Sequence, residues 1–213
     1  MIAGVCEDEA FRLIEPFAKW ITSGRPFITL KLGITADGRI ADSAGRSRWI
    51  TGEKSRERVH VLRRRVDGIM VGGKTARRDN PSLLPDPPRG RHPFRIIAAG
   101  RKPLSDNLRV LADDAADQTL VYSGRGVGHI LRDLGRRGLL HVVCEGGGEL
   151  AASLVRAGVI DEIWLFMAPK ILGGGKSVPS IGGKGWRLAA APRFRVASVE
   201  QVGEDVLIRM RNT

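Results

Sequence analysis

The chain has 213 residues, of which 42% are hydrophobic, and its 35 Lys and Arg against 23 Asp and Glu give a formal net charge of +12 at pH 7. This length suits one domain or one and a half, and the hydrophobic share supports a packed core and excludes wholesale disorder. No apolar run approaches the ~20 residues that a membrane-spanning helix needs. The N-terminal stretch is acidic and lacks the basic and apolar regions of a signal peptide, so the sequence predicts a cytoplasmic protein without membrane partners.

The cysteines and the positive charge narrow the functional classes. Cys6 and Cys144 show no CxxC spacing and no neighbouring histidine at metal-ligand spacing, which argues against a disulfide framework and a zinc site; no metal is expected. The basic balance suits RNA binding, but aromatic residues make up only 5% of the chain and the arginines occur in short clusters. Phosphorylated small molecules explain such clusters equally well.

The first predicted elements are an amphipathic helix and a strand. Apolar residues follow a 3.6-residue period over Glu7–Ile21, which predicts a helix before the break at residues 24–26. Alternation over Phe27–Gly33 then predicts a strand, which ends in a turn at residues 37–38. Lys31 lies on a strand face whose other members are small or aromatic, so it needs an acid or a phosphate to meet.

A longer series of helices and strands follows. Thr51, with Glu53 in the first turn, is expected to cap a helix that runs to Val66. The further predicted strands are Ile69–Val71, Phe94–Ala98, Thr119–Tyr122, Leu140–Cys144, Ile163–Pro169, Phe194–Val199 and Val206–Met210, and the further helices are Val127–Gly135 and a segment that ends at Gly158. The last two strands form a hairpin. This order predicts an α/β fold with a central, mostly parallel sheet, flanking helices and an antiparallel C-terminal hairpin.

Residues 68–75 match the P-loop pattern GxxxxGK[ST]. The apolar residues 69–71 fill the loop positions with a strand, however, and leave no free nest of backbone amides. We therefore reject a nucleoside triphosphate site at this point. Lys74 and Thr75 remain candidates for contact with a phosphate or a sugar at the start of a short helix.

A second glycine-rich turn, Glu145–Gly148, lies between a predicted strand and a predicted helix. Such a turn either serves close packing or admits the phosphates of a dinucleotide. The carboxylate of Glu145 favours a ligand, because the carboxyl ends of strands in α/β sheets border the crevice where ligands bind. A third glycine run, residues 173–175, is either a flexible loop or part of a site.

Asp37 and Glu145 are the candidate partners of Lys31. The alternative is an edge-strand lysine that prevents aggregation. The four histidines fit no hydrolase or zinc-enzyme arrangement, which disfavours both functions.

Six segments, in this order, resemble one known family: Arg25–Leu32, Asp37–Ala41, Ser47–Thr51, Asp79–Leu83, Glu145–Gly147 and Ala168–Gly174. They are similar to the reductase domain of riboflavin biosynthesis, which in many bacteria is the C-terminal half of a bifunctional deaminase-reductase. The resemblance implies a dihydrofolate-reductase-like fold over residues 25–213, preceded by a lead-in helix or linker over residues 1–24. It also implies a homodimer, and a pyrimidine deaminase that is fused to this chain or works with it.

The resemblance further implies NADPH-dependent reduction of 5-amino-6-(5-phosphoribosylamino)uracil to 5-amino-6-(5-phosphoribitylamino)uracil, with hydride transfer to C1′ through an opened imine. It implies NADPH contacts at Gly33, Trp49, Thr75, Asp79, Gly147, Gly148, Glu149, Leu150, Ala151, Ala152 and Ser153. It implies substrate contacts at Ser47, Arg63, Leu83 and Glu145, with Lys31 and Glu145 as the catalytic pair. Arg63 offers a fork for the substrate phosphate, and Trp49 can lie against the cofactor.

The chain departs from the family pattern after Leu83. The family continues with Thr-x-Arg and uses that arginine for the substrate phosphate, whereas this chain has Asp86 there. Arg89 and Arg91 are the expected replacements. If neither arginine binds the substrate phosphate, the alternative is a related reductase of a pterin-like or other heterocyclic substrate. Outside enzymes, the alternative is a basic RNA-binding protein.

Overall fold

The structure, a computed structural model, describes residues 4–87 and 90–213, apart from the side chains of residues 8 and 9. Along these residues the elements are α1 Glu7–Ser23, β1 Phe27–Thr35, β2 Arg39–Ala41, α2 Glu53–Arg63, β3 Gly68–Gly72, α3 Gly73–Asp79, β4 Phe94–Gly100, α4 Arg109–Ala112, β5 Thr119–Ser123, α5 Val127–Arg136, β6 His141–Cys144, α6 Gly148–Arg156, β7 Glu162–Ala168, β8 Val178–Pro179, β9 Phe194–Val202 and β10 Asp205–Asn212. Within this part of the chain, no helix combines the length and apolar character needed to cross a bilayer.

The main sheet has eight strands in the order β5-β4-β3-β6-β1-β7-β10-β9. The strands from β5 to β7 are parallel, with Phe27 of β1 opposite His141 and Thr29 opposite Glu162. β10 runs antiparallel to β7 and to β9. The predicted fold class, a mostly parallel sheet with an antiparallel C-terminal hairpin, is therefore confirmed. β2 and β8 form a separate two-stranded sheet that the sequence analysis missed.

The strand order places a crevice between β3 and β6. After β3 the chain continues to β4, which lies on the β5 side of the crevice. After β6 it continues to β7, which lies on the other side, beyond β1. Ligands of open α/β sheets bind where neighbouring strands diverge in this way, beyond their carboxyl ends. Glu145 and the glycine turn therefore stand at the mouth of this crevice. The strand residues at 69–71 also confirm that residues 68–75 are not a P-loop.

Alternation along β1 separates the two faces of the sheet. Ile28, Leu30 and Leu32 pack with buried residues of α5 and α6 in the largest apolar cluster. The opposite face carries Lys31 and is covered by α2, whose Val59 packs against Phe166 of β7. The buried apolar residues drive this layering, and they leave the lysine on the α2 side.

The expected cap of α2 by Thr51 is wrong. The helix begins at Glu53, and the Gly52 N–H and the Ser55 hydroxyl donate to Oδ2 of Asp205, at 2.8 and 2.5 Å. The buried Asp205 carboxylate of β10 thus accepts hydrogen bonds at the start of α2. At most helix starts, the acceptor is a side chain close by in sequence. The helix also ends at Arg63, before the predicted Val66.

α1 matches the predicted lead-in helix closely and ends at Gly24, whose φ of 65° permits the left-handed termination. The indole N–H of Trp20 donates to the Gly135 carbonyl at 2.8 Å, and Lys19 pairs with Asp161. Gly135 admits this close approach, since a Cβ there would lie 1.9 Å from the Gly24 oxygen. The helix therefore packs against α5 and against the residue before β7.

Candidate active site

A cleft of about 610 Å³ opens at the carboxyl ends of the central strands. Ten of the residues assigned from the family resemblance line it: Lys31, Gly33, Ser47, Trp49, Arg63, Thr75, Asp79, Leu83, Glu145 and Gly147. They come from β1, the loop before α2, α2 itself, α3 and its following loop, and the turn after β6. Residues more than 100 positions apart in sequence are thus brought to one site.

Arg63 and Glu145 form a two-point ion pair in the cleft. The Nε and Nη2 atoms of Arg63 donate to the two carboxylate oxygens at 2.7 and 2.8 Å, and Nη1 donates to the Leu84 carbonyl at 2.9 Å. The side chains are only 15% and 9% exposed. Within the described residues, two of the five guanidinium N–H groups stay available to a ligand. The Arg63 guanidinium, which the resemblance assigns to the substrate phosphate, therefore binds mainly the Glu145 carboxylate.

Burial alone would raise the pKa of Glu145, but the charge and hydrogen bonds of Arg63 outweigh it and hold the pKa at about 2. Glu145 is therefore an ionised hydrogen-bond acceptor at neutral pH. Burial lowers the pKa of Lys31, and the nearby Arg63 charge lowers it further, while the Glu145 carboxylate opposes both. Of this pair, Lys31 is the group better suited to give up a proton near neutral pH.

The Lys31 ammonium lies 5.9 Å from the ring centroid of Phe166. In the part of the chain that the structure describes, it has no hydrogen-bond or ion-pair partner. Gly33 keeps the neighbouring space open, because a Cβ there would lie 3.9 Å from the Lys31 nitrogen and 3.3 Å from the Thr51 methyl. Asp37 is not a partner of Lys31: its carboxylate accepts from Thr35 and from the backbone N–H groups of residues 172 and 173.

The glycine turn is shaped first by packing within the protein. A Cβ on Gly146 would meet the Gly72 nitrogen at 3.0 Å, and one on Gly148 would meet the Pro179 oxygen at 2.7 Å. Gly147 differs, because a Cβ there meets only the Thr75 hydroxyl, at 3.3 Å, and its N–H donates to that hydroxyl at 3.2 Å. Gly146 and Gly147 both line the cleft, but of these two only Gly147 is free of close backbone packing.

The start of α6 contributes less to the cleft than the resemblance implies. Gly148, Glu149, Leu150, Ala151, Ala152 and Ser153 do not line it. Leu150 and Ala151 belong to the core and Ala152 is 4% exposed, so a ligand at this helix would meet backbone rather than these side chains. Gly182 donates to the Gly148 oxygen at 2.9 Å, so the following loop packs over the first turn of the helix.

Trp49 forms one wall of the cleft. Its side chain is 63% exposed, and the Arg56 guanidinium lies 4.6 Å from its ring centroid. Arg48 lies on the same ring at 5.7 Å. An exposed indole flanked by cations offers a flat surface to an anionic aromatic ligand.

The end of α3 and the loop after it form another part of the cleft lining. Asp79 accepts from the Arg78 guanidinium at 2.9 Å, and its carbonyl accepts from Arg48 at 3.0 Å. Leu83 is 2% exposed and has a φ of 56°, a left-handed conformation that a leucine rarely adopts. Arg95, fully buried, supports this loop through a 3.3 Å bond to the Ser82 carbonyl.

Arg91 does not replace the missing phosphate-binding arginine. Its guanidinium donates to Asp67 at 2.7 Å, and Asp67 precedes β3, so this pair lies at the amino end of a central strand, whereas the cleft opens at the carboxyl ends. Arg89, the other expected replacement, lies outside the described residues. Asp86 lines the cleft, and its backbone N–H donates to Nδ1 of His60 at 2.9 Å.

Several cleft residues were missed by the sequence analysis. They are Arg48, Arg56, His60, Arg78 and Arg109. Helical spacing carries a signal for two of them, because residues 56, 60 and 63 share one face of α2. The lining holds three acidic side chains, those of Asp79, Asp86 and Glu145. Against them stand six lysine and arginine side chains, those of Lys31, Arg48, Arg56, Arg63, Arg78 and Arg109. This excess suits a ligand with phosphate groups.

Among solved structures, the diaminohydroxyphosphoribosylaminopyrimidine deaminase/5-amino-6-(5-phosphoribosylamino)uracil reductase of Thermotoga maritima superposes with a TM-score of 0.89 at 31% identity, over 99% of this chain and 63% of that one. The riboflavin biosynthesis protein RibD of Aquifex aeolicus is 34% identical over 96% of this chain and 63% of its own length. The riboflavin biosynthesis protein PYRR of Zea mays is 35% identical over 86% of this chain and 33% of its own length.

This chain thus spans about three fifths of the length of the bacterial relatives that it matches. The family model of the RibD C-terminal domain matches residues 26–208. The match includes the main sheet up to residue 208 of β10 and all ten cleft residues assigned from the family resemblance. The chain therefore belongs to the RibD C-terminal domain family.

Proposed function

We propose that the chain catalyses NADPH-dependent reduction of 5-amino-6-(5-phosphoribosylamino)uracil to 5-amino-6-(5-phosphoribitylamino)uracil. The observation that carries the proposal is the juxtaposition of Lys31 with the Arg63–Glu145 pair in a cationic cleft, within a chain of this family. Members of the family are reductases that need a nicotinamide cofactor.

The lining of the cleft fits such a cofactor. The exposed Trp49 ring provides an aromatic surface, and Thr75, Asp79 and Gly147 add polar groups to the same lining. Gly33 lines the cleft together with Lys31 and Glu145, so a flat ring bound against Gly33 would lie beside the catalytic pair. Reduced nicotinamide, when bound, supplies the hydride. The preference for NADPH over NADH is part of the proposal and is supported by the cationic lining.

The chain's own residues would bind the substrate, orient it and supply it with a proton. Glu145 stays ionised and accepts hydrogen bonds from the hydroxyl groups of the opened sugar, while Arg63 fixes the carboxylate. Lys31 donates the proton that balances the hydride delivered to C1′. Arg63 lines the cleft, and its two remaining N–H groups suit the phosphorylated end of the substrate.

The proposal extends to the setting of the reaction. A pyrimidine deaminase would supply the substrate, and the Thermotoga maritima relative is described as carrying both activities. Two copies of this chain would form a homodimer, and the reductase domain would begin at residue 25. The free thiols of Cys6 and Cys144 support a reducing compartment, the cytoplasm. Neither nucleic acid nor a membrane is a proposed partner.

Oxidation of NADPH, followed at its near-ultraviolet absorbance with freshly generated substrate, tests this function. We expect turnover by the wild type, and a loss of about 10²- to 10⁴-fold in kcat for Lys31→Met and for Glu145→Gln. Lys184→Met, an exposed lysine outside the cleft, is the matched control and should keep full activity. NADPH binding without turnover would remove the riboflavin assignment.

Asp86 favours one second candidate, a reductase of a pterin-like or other heterocycle. Its carboxylate lines the cleft where an anionic phosphate would be repelled, and it could accept hydrogen bonds from ring N–H groups. Under this alternative, a dihydropterin would be turned over faster than the phosphoribosyl substrate. Asp86→Asn would slow the pterin reaction, whereas it would speed the phosphoribosyl reaction if the first proposal holds.

A further inference from the structure

The segment of residues 47–52, which carries Trp49, has little regular structure of its own. Its internal backbone hydrogen bond in the described structure runs from Ile50 N–H to the Ser47 carbonyl, at 3.2 Å. The segment has bends and turns instead of a strand ladder. The position of Trp49 in the cleft wall therefore depends on contacts from other elements.

Two cationic side chains supply those contacts. The Lys170 ammonium donates to the carbonyls of Trp49 and Ile50, at 2.9 and 2.8 Å. Arg56 donates to the next carbonyl, that of Thr51, at 2.9 Å, and its guanidinium also lies 4.6 Å from the Trp49 ring centroid. Three successive carbonyls are thus held by cations from outside the segment, and charge-assisted bonds of this kind are the stronger ones.

Lys170 is itself fixed at the end of β7. Its carbonyl accepts from the Ala36 N–H at 2.8 Å, which joins it to the end of β1. The two residues after Ile171 donate their N–H groups to the carboxylate of Asp37, at 3.2 and 2.8 Å. The Thr35 hydroxyl donates to the same carboxylate at 2.6 Å. The ammonium therefore reaches the Trp49 segment from a rigid base in the central sheet.

We propose that Lys170 is a positioning residue for cofactor binding, acting through the backbone of Trp49 and Ile50. This inference rests on the proposed function, in which Trp49 contacts the nicotinamide cofactor. Lys170 itself does not line the cleft and touches none of Lys31, Arg63 and Glu145. Its removal should therefore weaken NADPH binding and leave the chemical step intact.

The test compares Lys170→Met with Lys170→Arg, which keeps a donor, and with Lys176→Met, an exposed lysine in the following loop. Amide hydrogen exchange of residues 47–52, measured without ligand, should accelerate about tenfold in Lys170→Met and recover at least partly in Lys170→Arg. The Kd for NADPH, from fluorescence titration, should rise about tenfold in the same variant, with kcat within about twofold of the wild type.

Lys176→Met should match the wild type in all three measurements. Unchanged exchange in Lys170→Met would overturn the inference, and so would faster exchange with an unchanged Kd for NADPH. A fall in kcat at constant Kd would also contradict it. Exchange and NADPH binding do not require the substrate, so an absence of turnover in the wild type would count against the proposed function alone.

Discussion

Among single residues, Lys31 shows how burial and neighbouring charges set a protonation state. Burial and Arg63 lower its pKa below the ordinary 10.5, and Glu145 prevents a larger fall. If the ammonium form donates a proton, activity must decline as pH rises through this lowered pKa. The kcat/KM–pH profile should therefore have an alkaline limb below pH 10.5.

Glu145→Gln should move that limb to lower pH, because it removes the charge that stabilises the ammonium. The measurement is the pH dependence of kcat/KM for the wild type and this variant, with Lys184→Met as the control. A limb that stays at the same pH in Glu145→Gln would contradict the coupling between the two groups.

Asp205 illustrates a residue with a purely structural task. It is 2% exposed and accepts from the Gly52 N–H and from the Ser55 hydroxyl. Asp205→Ala leaves these donors without a partner and should lower the free energy of unfolding by about 1–3 kcal/mol. Urea unfolding monitors this loss. Asp106→Ala, at an exposed position, should change stability little, and equal losses in both variants would refute the cap.

At the scale of elements, two glycines in the turn before α6 have different roles: Gly146 is needed for close packing, and Gly147 for access of a ligand. Gly146→Ala places a methyl group 3.0 Å from the Gly72 nitrogen and should cost about 1–3 kcal/mol of stability. Gly147→Ala meets only the Thr75 hydroxyl at 3.3 Å, so its stability should change less, while KM for NADPH rises. Urea unfolding and steady-state kinetics measure the two effects. Equal destabilisation by both substitutions would contradict this division of roles.

The same elements show what the sequence could predict. Strong periodicity placed α1, β1 and α5 within about two residues of their ends, because their apolar faces are wide and continuous. β2 and β8 have three and two residues, too few to show a pattern. The cap of α2 comes from Asp205, 150 residues after Ser55, so no local spacing could reveal it.

The candidate site was predictable to a similar degree. The resemblance of short motifs brought Lys31, Arg63 and Glu145 together, and the helical spacing of residues 56, 60 and 63 would have added two more side chains. The packing role of Gly146 was not predictable, since it depends on the strand order that brings β3 beside β6. The ion pair of Arg91 with Asp67, at the amino end of β3, was not predictable either, because no local spacing links the two residues.

At the scale of the whole molecule, the charge excess in the cleft should govern how affinity responds to salt. The lining has six cationic side chains and three acids. Raising NaCl from about 0.05 to about 0.5 M screens exposed charges, so KM for NADPH should rise. kcat should change little, because the Arg63–Glu145 pair is mostly buried. Steady-state kinetics at several salt concentrations test this expectation.

Arg109→Gln, at the cleft, should reduce the dependence of KM on salt, because it removes one of the exposed charges. Arg132→Gln, on the exposed side of α5, should leave it unchanged. A salt response that is the same in both variants would show that the net charge of +12, rather than the cleft, attracts the cofactor.

The central position of β1 has a consequence for the order in which the chain can fold during synthesis. β1 is made before both of its neighbours in the sheet: the Thr29 hydroxyl pairs with His141, 112 residues later, and the Ile28 N–H pairs with Asp161, 133 residues later. Contacts of such long range are slow to form, since the intervening loop must first be closed. The ribosome must therefore release most of the domain before its middle strand gains either neighbour, and until then the apolar residues of β1 are exposed to chaperones and to aggregation.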